Sequence, residues 1–190
     1  MMRIITGSAR GVRLVTLAGD ATRPTAEKAK EAIFSAIQFE IDGRRVLDLF
    51  AGSGQMGLEA LSRGAESCMF IDASREAMEI VKQNAQKTRL LEKSRMLVSD
   101  YRTYIGKAKT AFDLVFIDPP YAMHAVGDAV LRLYEKKCLA NGAIVVCESG
   151  EEDPFGDTLP TGFTVEKKAR YGISHVHILR YREESEETDG

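Results

Sequence analysis

A glycine-rich turn that directly follows a short apolar run constrains this chain most. The segment RVLDLFAGSGQMG spans residues 45–57, and its apolar run falls within residues 46–50. Such a run is typical of a strand that a parallel sheet buries on both faces. Gly52 and Gly54 permit a tight turn and the close approach of a ligand, and Gly57 leaves room for a helix to lie against the sheet. The segment therefore predicts an α/β fold that binds a nucleotide-like ligand.

The same three glycines also satisfy G-x-G-x-x-G, the fingerprint of dinucleotide binding, and Asp72 stands where that fold keeps a ribose-binding carboxylate. An NAD-dependent oxidoreductase is therefore one hypothesis. Asp48 weighs against it, because an anion just ahead of the glycines is awkward for a pyrophosphate and suits a cationic ligand. The lack of a second, substrate-binding domain weighs against it as well.

A second motif, Asp118-Pro119-Pro120-Tyr121, follows the apolar run 114–117 and is the more specific signal. Taken alone, the motif has a plain alternative as a loop terminator, because Asp-Pro pairs initiate turns. Together with the glycine-rich segment, it resembles the S-adenosylmethionine-dependent methyltransferases that modify exocyclic amines of nucleic-acid bases, whose signature is D/N-P-P-Y/F.

The resemblance covers roughly residues 2–182. Within the methyltransferases, the chain is most similar to the RsmD family, the bacterial 16S ribosomal RNA guanine-N2 methyltransferases. The shared residues lie within 3–14, 23–25, 47–54 and 57–65, in addition to the proline motif. Thr6 and Val12 depart from the residues common in the family. These two departures bear on RNA contacts and leave the reaction class unchanged.

This resemblance implies a role for each residue of the proline motif. Asp118 and the carbonyl group of Pro119 are expected to accept one amine hydrogen each, which turns the nitrogen lone pair toward the methyl group. Pro119 and Pro120 restrict the loop and keep both acceptors aimed. Tyr121 is expected to stack on the base. Two fates stay open for the amine proton, transfer to Asp118 or later loss to water.

The implied cofactor is S-adenosylmethionine. Asp72, at the end of the predicted strand 68–72, is expected to accept hydrogen bonds from both ribose hydroxyls. Asp100 is expected to accept one from the adenine amino group, and Tyr101 to cover the ring. Helix capping or an ordinary surface position is the alternative for the two aspartates. The predicted cofactor-binding residues are Asp48, Phe50, Ala51, Gly52, Ser53, Gly54, Asp72, Ala73, Asp100 and Tyr101.

Charge is distributed unevenly along the chain, although its formal net charge is only −2. Residues 1–30 hold six basic and two acidic side chains, whereas residues 183–190 hold five acidic ones and no basic ones. This asymmetry predicts a local basic patch near the N-terminus instead of a basic protein. The predicted RNA contacts are Arg10, Arg13, Arg23 and Thr25, and by resemblance the turn 23–25 also borders the catalytic pocket.

Cysteine, histidine and hydropathy patterns exclude several other classes. Cys68, Cys138 and Cys147 lie far apart in apolar contexts without a C-x-x-C pair, so we expect buried free thiols. His175 and His177 share a strand face but have no third ligand in view, so no metal site is expected. No apolar run approaches the ~20 residues of a membrane span, and no signal peptide is recognisable. We therefore expect a cytoplasmic protein.

We predict a Rossmann-like methyltransferase with a mostly parallel seven-stranded sheet and helices on both faces. Residues 1–40 are expected to form an RNA-contacting hairpin and helix, 41–182 the catalytic domain, and 183–190 a disordered acidic tail. The final antiparallel strand of the sheet is implied by the resemblance alone. A monomer is expected.

The leading functional hypothesis is methylation of the N2 amine of one guanine in 16S ribosomal RNA, within a small-subunit assembly particle. N6-adenine methylation of DNA is the nearest alternative, because the proline motif serves both amines. An NAD-dependent oxidoreductase and a non-catalytic RNA-binding module are alternatives from other classes. Neither explains why the glycine-rich segment and the proline motif occur together.

Overall fold

A central seven-stranded sheet organises the computed structural model, which describes residues 2–18 and 24–184. The strand order is β3-β2-β1-β4-β5-β7-β6. β1 to β5 are parallel, and β7 pairs antiparallel with both β5 and β6. The strands are β1 (Arg45–Asp48), β2 (Ser67–Asp72), β3 (Ser94–Val98), β4 (Phe112–Ile117), β5 (Leu139–Ser149), β6 (Phe163–Tyr171) and β7 (Ser174–Tyr181).

Five α-helices cover the two faces of this sheet in the part of the chain that the structure describes. They are α1 (Pro24–Ile37), α2 (Gln55–Ser62), α3 (Arg75–Lys87), α4 (Tyr101–Lys107) and α5 (Val126–Glu135). The apolar faces of α1, α2 and α3 share one core, and those of α4 and α5 share the other. The predicted fold class is confirmed. Within the described ranges, no helix has the length and apolar character that crossing a membrane requires.

Successive side chains of the buried strands point alternately into the two apolar cores, which explains why these strands are continuous apolar runs in the sequence. In β4, Leu114 and Phe116 face the first core, whereas Val115 and Ile117 face the second. β5 repeats this pattern, with Ile144 in the first core and Val145 in the second. Because both faces are covered by helices, neither set of side chains can be polar. The prediction that a continuous apolar run marks a strand buried on both faces is therefore confirmed for the centre of this sheet.

The sequence also predicts a helix over residues 123–137, and this helix begins later, at Val126. Residues Tyr121–Met123 form a single 3₁₀ turn, and His124 adopts a left-handed conformation with φ of 46°. A residue in that conformation cannot continue a right-handed helix, so α5 begins at Val126. The interruption leaves the proline motif on a separate loop.

The N-terminal segment folds back on itself as the predicted hairpin, although its pairing is shorter than a regular ladder. Its antiparallel pairing consists of one isolated bridge, between Arg3 and Arg13. Ile4 and Leu14, which flank the bridge, are buried in the same core as α1 and α2. An isolated two-stranded ribbon is only marginally stable in water. This one is stabilised by hydrogen bonds to the helices that it packs against.

Glu59 of α2 is the main attachment point for the N-terminal segment. Its side chain is fully buried, and its carboxylate accepts hydrogen bonds from the backbone N–H groups of Ile5 (2.8 Å) and Thr6 (3.0 Å). The same carboxylate forms ion pairs with Lys30 of α1 (3.2 Å) and with Arg63 (2.9 Å). Burial lowers the pKa of Lys30, and the pairing with Glu59 opposes that shift. One carboxylate thus joins α1, α2 and the N-terminal segment.

Two further side chains extend this attachment. Ser62 Oγ accepts a hydrogen bond from the N–H group of Ala9 (2.9 Å) and donates one to the carbonyl group of Thr6 (2.7 Å). Asn84 of α3 accepts from the N–H group of Val15 (2.7 Å) and donates to its carbonyl group (2.9 Å). The N-terminal segment is therefore part of the core of the catalytic fold.

We expect Glu59→Ala to lower the free energy of unfolding by about 3–5 kcal/mol, because it leaves a buried lysine and two backbone N–H groups without their partner. Chemical denaturation monitored by circular dichroism measures the loss. Glu79→Ala on the exposed face of α3 is the matched control and should change stability by no more than about 0.5 kcal/mol. Equal stabilities of the two variants would contradict the role assigned to Glu59.

Candidate active site

A cleft of about 780 Å³ opens at the carboxyl ends of the central strands. β1 pairs with β2 on one side and with β4 on the other, so the strand order reverses at this point, which is where open α/β sheets bind ligands. Both predicted motifs contribute to it. The cleft is lined by Asp48, Phe50, Ala51, Gly52, Ser53, Asp72, Ala73, Asp100, Tyr101, Asp118, Pro119, Pro120 and Tyr121, together with residues discussed below.

Asp48, the last residue of β1, lies at the floor of the cleft and is 3% exposed. Its Oδ2 atom accepts a hydrogen bond from the N–H group of Gly57 (3.0 Å). Burial raises the pKa of Asp48 to about 7, against an ordinary value of 3.8, and the nearby Asp72 adds to the shift. A cation in the cleft would stabilise the ionised form, so the site favours a positively charged ligand.

The glycine-rich loop, residues 50–54, is shaped by Gly52 and Gly54, which both have positive φ angles (54° and 80°). A Cβ atom at Gly52 would meet no protein atom within 4 Å, so the loop presents bare backbone to open space. Gly54 is the predicted cofactor-binding residue that does not line the cleft, since it caps the N-terminus of α2 and lies against Val81. Gly57 allows α2 to approach the sheet, because a Cβ atom there would lie 2.4 Å from the Phe70 ring.

Asp72, at the end of β2, supports this loop. Its Oδ2 atom accepts a hydrogen bond from the N–H group of Gly52 (2.9 Å), and its Oδ1 atom accepts one from the N–H group of Ser74 (2.9 Å). A carboxylate offers about four acceptor positions, so both oxygens can accept further hydrogen bonds from a ligand. Asn84 holds the other side of the loop by donating to the carbonyl group of Ser53 (2.9 Å).

Asp100 and Tyr101 lie at the start of α4. Asp100 caps the helix by accepting hydrogen bonds from the backbone N–H groups of Arg102 (2.9 Å) and Thr103 (3.1 Å), and the Thr103 bonds hold its pKa below the usual value. Asp100 therefore caps the helix, as the alternative interpretation predicted, and it also lines the cleft. Tyr101 is buried against Phe50, with ring centroids 5.2 Å apart. Its hydroxyl group donates to Asp128 of α5 (2.6 Å), which fixes the ring at the cleft wall.

The loop of the proline motif, residues 118–121, follows β4 directly. β1 and β4 pair with Asp48 opposite Phe116, and the N–H group of Leu49 donates to the carbonyl group of Phe116 (3.0 Å). This register carries the proline motif alongside the glycine-rich loop. Tyr121 lies over Gly150, where a Cβ atom would come within 3.0 Å of its ring.

Several residues that line the cleft are not among those predicted from the sequence. Met2, Arg3 and Lys30 come from the N-terminal segment and α1, and Met2 Sδ accepts a hydrogen bond from Ser53 (3.1 Å). Glu148 comes from the end of β5. The signal that could have identified Glu148 is an acidic residue that closes an apolar strand, the pattern that pointed to Asp72.

Three of the predicted RNA contacts, Arg10, Arg13 and Thr25, do not line the cleft. Arg10 and Arg13 are exposed on the N-terminal segment, on the same element as the cleft-lining Arg3. Thr25 is exposed in the first turn of α1 and lies near Gly172 of the β6–β7 turn. Arg23 lies outside the residues that the structure describes. Within 2–18 and 24–184, no group of three or more potential metal ligands occurs.

Comparison with known proteins identifies the family. The family model "Conserved hypothetical protein 95" matches residues 2–180. The Bacillus subtilis protein YlbH is 36% identical over 184 residues, which cover 95% of this chain and 100% of that protein. Ribosomal RNA small subunit methyltransferase D of Haemophilus influenzae is 30% identical over 182 residues, which cover 94% and 93%. The solved structure of yhhF from Escherichia coli is 27% identical with a TM-score of 0.86, and the match covers 96% of this chain and 98% of that one.

The fold and the cleft define a Rossmann-like, S-adenosylmethionine-dependent methyltransferase. Within that class, the chain belongs to the RsmD family of ribosomal RNA methyltransferases. The family resemblance seen in the sequence is confirmed. The oxidoreductase interpretation is set aside, because the glycines that suggested it shape a loop next to a buried carboxylate.

The raised pKa of Asp48 predicts a specific dependence of stability on pH. Because the folded protein binds this proton more tightly than the unfolded chain, the stability due to Asp48 is fully present below about pH 4 and is lost as the pH rises through about 7. We expect the stability of the wild type to fall relative to Asp48→Asn by up to about 4 kcal/mol across this range. Denaturant titrations of both proteins at pH 4 to 8 measure this difference, and a constant difference would contradict the assignment.

Proposed function

We propose that this chain transfers a methyl group from S-adenosylmethionine to the exocyclic N2 amine of one guanine in 16S ribosomal RNA of the small subunit. The observation that carries the proposal is the adjacency of the two motifs, since Asp48 with its glycine-rich loop and the proline motif line one cleft. Family membership supports ribosomal RNA as the substrate class. The N2 atom of guanine is proposed as the methyl acceptor because of the resemblance to the RsmD family.

The residues of the cleft fit this cofactor. The bare backbone at Gly52 leaves room for a ligand, Asp72 has acceptor capacity for ribose hydroxyls, and the Phe50–Tyr101 pair offers an aromatic wall. Asp48 supplies a buried negative charge for a cation. When bound, the cofactor supplies an activated methyl group on a sulfonium centre. We assign to cofactor binding the ten residues predicted from the sequence, with Gly54 acting through the turn and Asp100 through its capped helix end.

The proline motif supplies the chemistry at the amine. The lone pair of an exocyclic guanine amine is delocalised into the ring, so the enzyme has to orient it as well as hold it close. Asp118 and the carbonyl group of Pro119 accept one amine hydrogen each, which directs the lone pair toward the methyl carbon. As the new carbon–nitrogen bond forms, positive charge develops on nitrogen and Asp118 stabilises it. Tyr121 stacks on the base and keeps its plane in place.

The N-terminal segment, which is attached to α2, supplies RNA contacts. Arg10 and Arg13 are exposed there, and Arg3 reaches the cleft itself. Guanidinium groups pair with phosphate through two parallel hydrogen bonds, so they suit an RNA backbone. Because Glu59 and Ser62 fix this segment to α2, the arginines are presented from a rigid support. Arg23 and Thr25 are proposed as further RNA contacts on the basis of the sequence.

We expect Asp118→Ala to lower methyl transfer at least ~100-fold while cofactor affinity stays nearly unchanged, because the change removes an acceptor for the amine and no cofactor contact. Asp118→Asn is the matched control, since its amide oxygen still accepts a hydrogen bond and the D/N-P-P-Y/F signature allows it; it should retain more activity than the alanine variant. A fully active Asp118→Ala protein would overturn the role given to this residue.

The substrate is tested by transfer of labelled methyl to 16S RNA from a strain that lacks the modification. Naked RNA and assembled small subunits are compared, followed by nucleoside analysis. N2-methylguanosine at one site is the expected product, and the preferred acceptor shows whether ribosomal proteins contribute to recognition. Methylation of adenine N6 in DNA, with no transfer to RNA, would replace this proposal with the nearest alternative.

We expect the double variant Arg10→Ala/Arg13→Ala to bind RNA more weakly than the wild type and with a shallower dependence on salt, by up to ~0.7–0.9 in log–log slope per lost phosphate contact. Lys107→Ala/Lys109→Ala is the control, because it removes the same charge at the end of α4, which packs on the other face of the sheet from the N-terminal segment. Fluorescence anisotropy with an RNA fragment at several salt concentrations measures both. Indistinguishable salt slopes for the two double variants would argue against RNA contact by the N-terminal segment.

A further inference from the structure

Glu148 is the carboxylate in the cleft that neither motif accounts for. It lies near the end of β5, and the register between β4 and β5 pairs Ile117 with Cys147. Asp118 and Glu148 are the next residues on these two parallel strands, so they leave the sheet side by side. Neighbouring strands are ~4.8 Å apart, and both residues line the cleft. Two carboxylates therefore stand next to each other where the base has to enter.

Glu148 is held in a fixed position. The hydroxyl group of Ser174, at the start of β7, donates a hydrogen bond to Glu148 Oε1 (2.6 Å). Ser174 is itself buried, and Glu148 pairs with Val176 across the β5–β7 ladder. Burial raises the pKa of Glu148, which means that water solvates this carboxylate poorly. A hydrogen-bond donor on a bound ligand would therefore compensate for lost hydration.

Guanine has the donor arrangement that two adjacent carboxylates fit. Its Watson–Crick edge presents the N1–H group directly beside the N2 amine, so neighbouring positions on the base are both donors. Adenine presents an N1 lone pair beside its N6 amine, and a carboxylate facing that lone pair would be repelled. Asp118 and the carbonyl group of Pro119 are already assigned to the amine, which leaves the neighbouring N1–H group for Glu148.

We propose that Glu148 is the specificity-determining residue of this site, accepting a hydrogen bond from guanine N1–H while the proline motif holds the N2 amine. The inference rests on the proposed function and adds how the base is chosen. It gives Ser174 the role of a positioning residue. It also explains why a fold whose proline motif accepts either amine selects guanine, since the carboxylate on the next strand rejects a base with a lone pair at N1.

The test compares guanosine with 2-aminopurine at the methylated position of an otherwise identical RNA. 2-Aminopurine keeps the amine at C2 but carries a lone pair at N1. We expect the wild type to prefer guanosine by ~100-fold or more in kcat/KM, because the N1 lone pair of 2-aminopurine would face the Glu148 carboxylate and neither group would gain a hydrogen bond. Glu148→Gln can donate to that lone pair or accept from N1–H, so its preference should shrink to within about tenfold.

Glu151→Gln is the control, because it makes the same chemical change three residues further on, where the side chain pairs with exposed His124 outside the cleft. It should keep the wild-type preference. Ser174→Ala should give an intermediate preference, since it releases Glu148 without removing it. Cofactor affinity and circular dichroism should match the wild type in all three variants, which separates a change in base selection from misfolding.

The outcomes distinguish this inference from the function on which it rests. A Glu148→Gln protein that folds and keeps the wild-type preference for guanosine overturns the inference and leaves the proposed function intact, as does a wild type that methylates both bases equally. A wild type that forms no N2-methylguanosine in RNA overturns the proposed function and the inference together. A collapsed preference in Glu148→Gln with an unchanged one in Glu151→Gln supports both.

Discussion

The parallel pairing of β1 with β4 at the centre of the sheet is the constraint on which the site depends. Strand order reverses there, so the loops that follow the two strands diverge and leave a cleft between them. β1 ends at Asp48 and β4 ends at Ile117, and their register brings the glycine-rich loop and the proline motif to the same edge. Residues about 65 positions apart in the chain thereby become one site. A different strand order would keep both motifs and separate them.

Glu59 imposes a second constraint, which concerns the rim of the cleft. A fully buried carboxylate is costly unless it is paired and hydrogen-bonded, and this one is satisfied jointly by α1, by Arg63 and by the N-terminal segment. Removing any one partner would leave buried polar groups of the network without a hydrogen bond, which would destabilise the fold. The arrangement makes the segment that carries Arg10 and Arg13 an integral part of the catalytic fold, although its composition resembles a detachable basic extension.

The carboxylates of the cleft show how one residue type takes different roles according to its surroundings. Asp48 is buried at the floor and has a pKa raised to about 7, Asp100 is exposed and caps α4 with a lowered pKa, and Glu148 is half-buried beside Ser174. Desolvation dominates in the first and third, and hydrogen bonds to the ionised form dominate in the second. These differences follow from burial, because Asp48 and Glu148 belong to strands inside the sheet whereas Asp100 lies at an exposed helix start. They divide the cleft into a region suited to a cation and a region suited to a base.

The sequence by itself determined the fold family and the two motifs. Doubly buried strands are continuous apolar runs, and Gly52 and the proline motif are local signals that do not depend on the rest of the chain. It also identified Asp72 and Asp100 as candidate site residues, with helix capping as an alternative that applies to Asp100, but not that Asp72 supports the glycine-rich loop. Only the tertiary structure decided that Glu59 is a buried attachment point and that Glu148 neighbours Asp118. The physical reason is that burial of a charge and register between strands are set by contacts between segments far apart in the chain, which no local pattern of residues records.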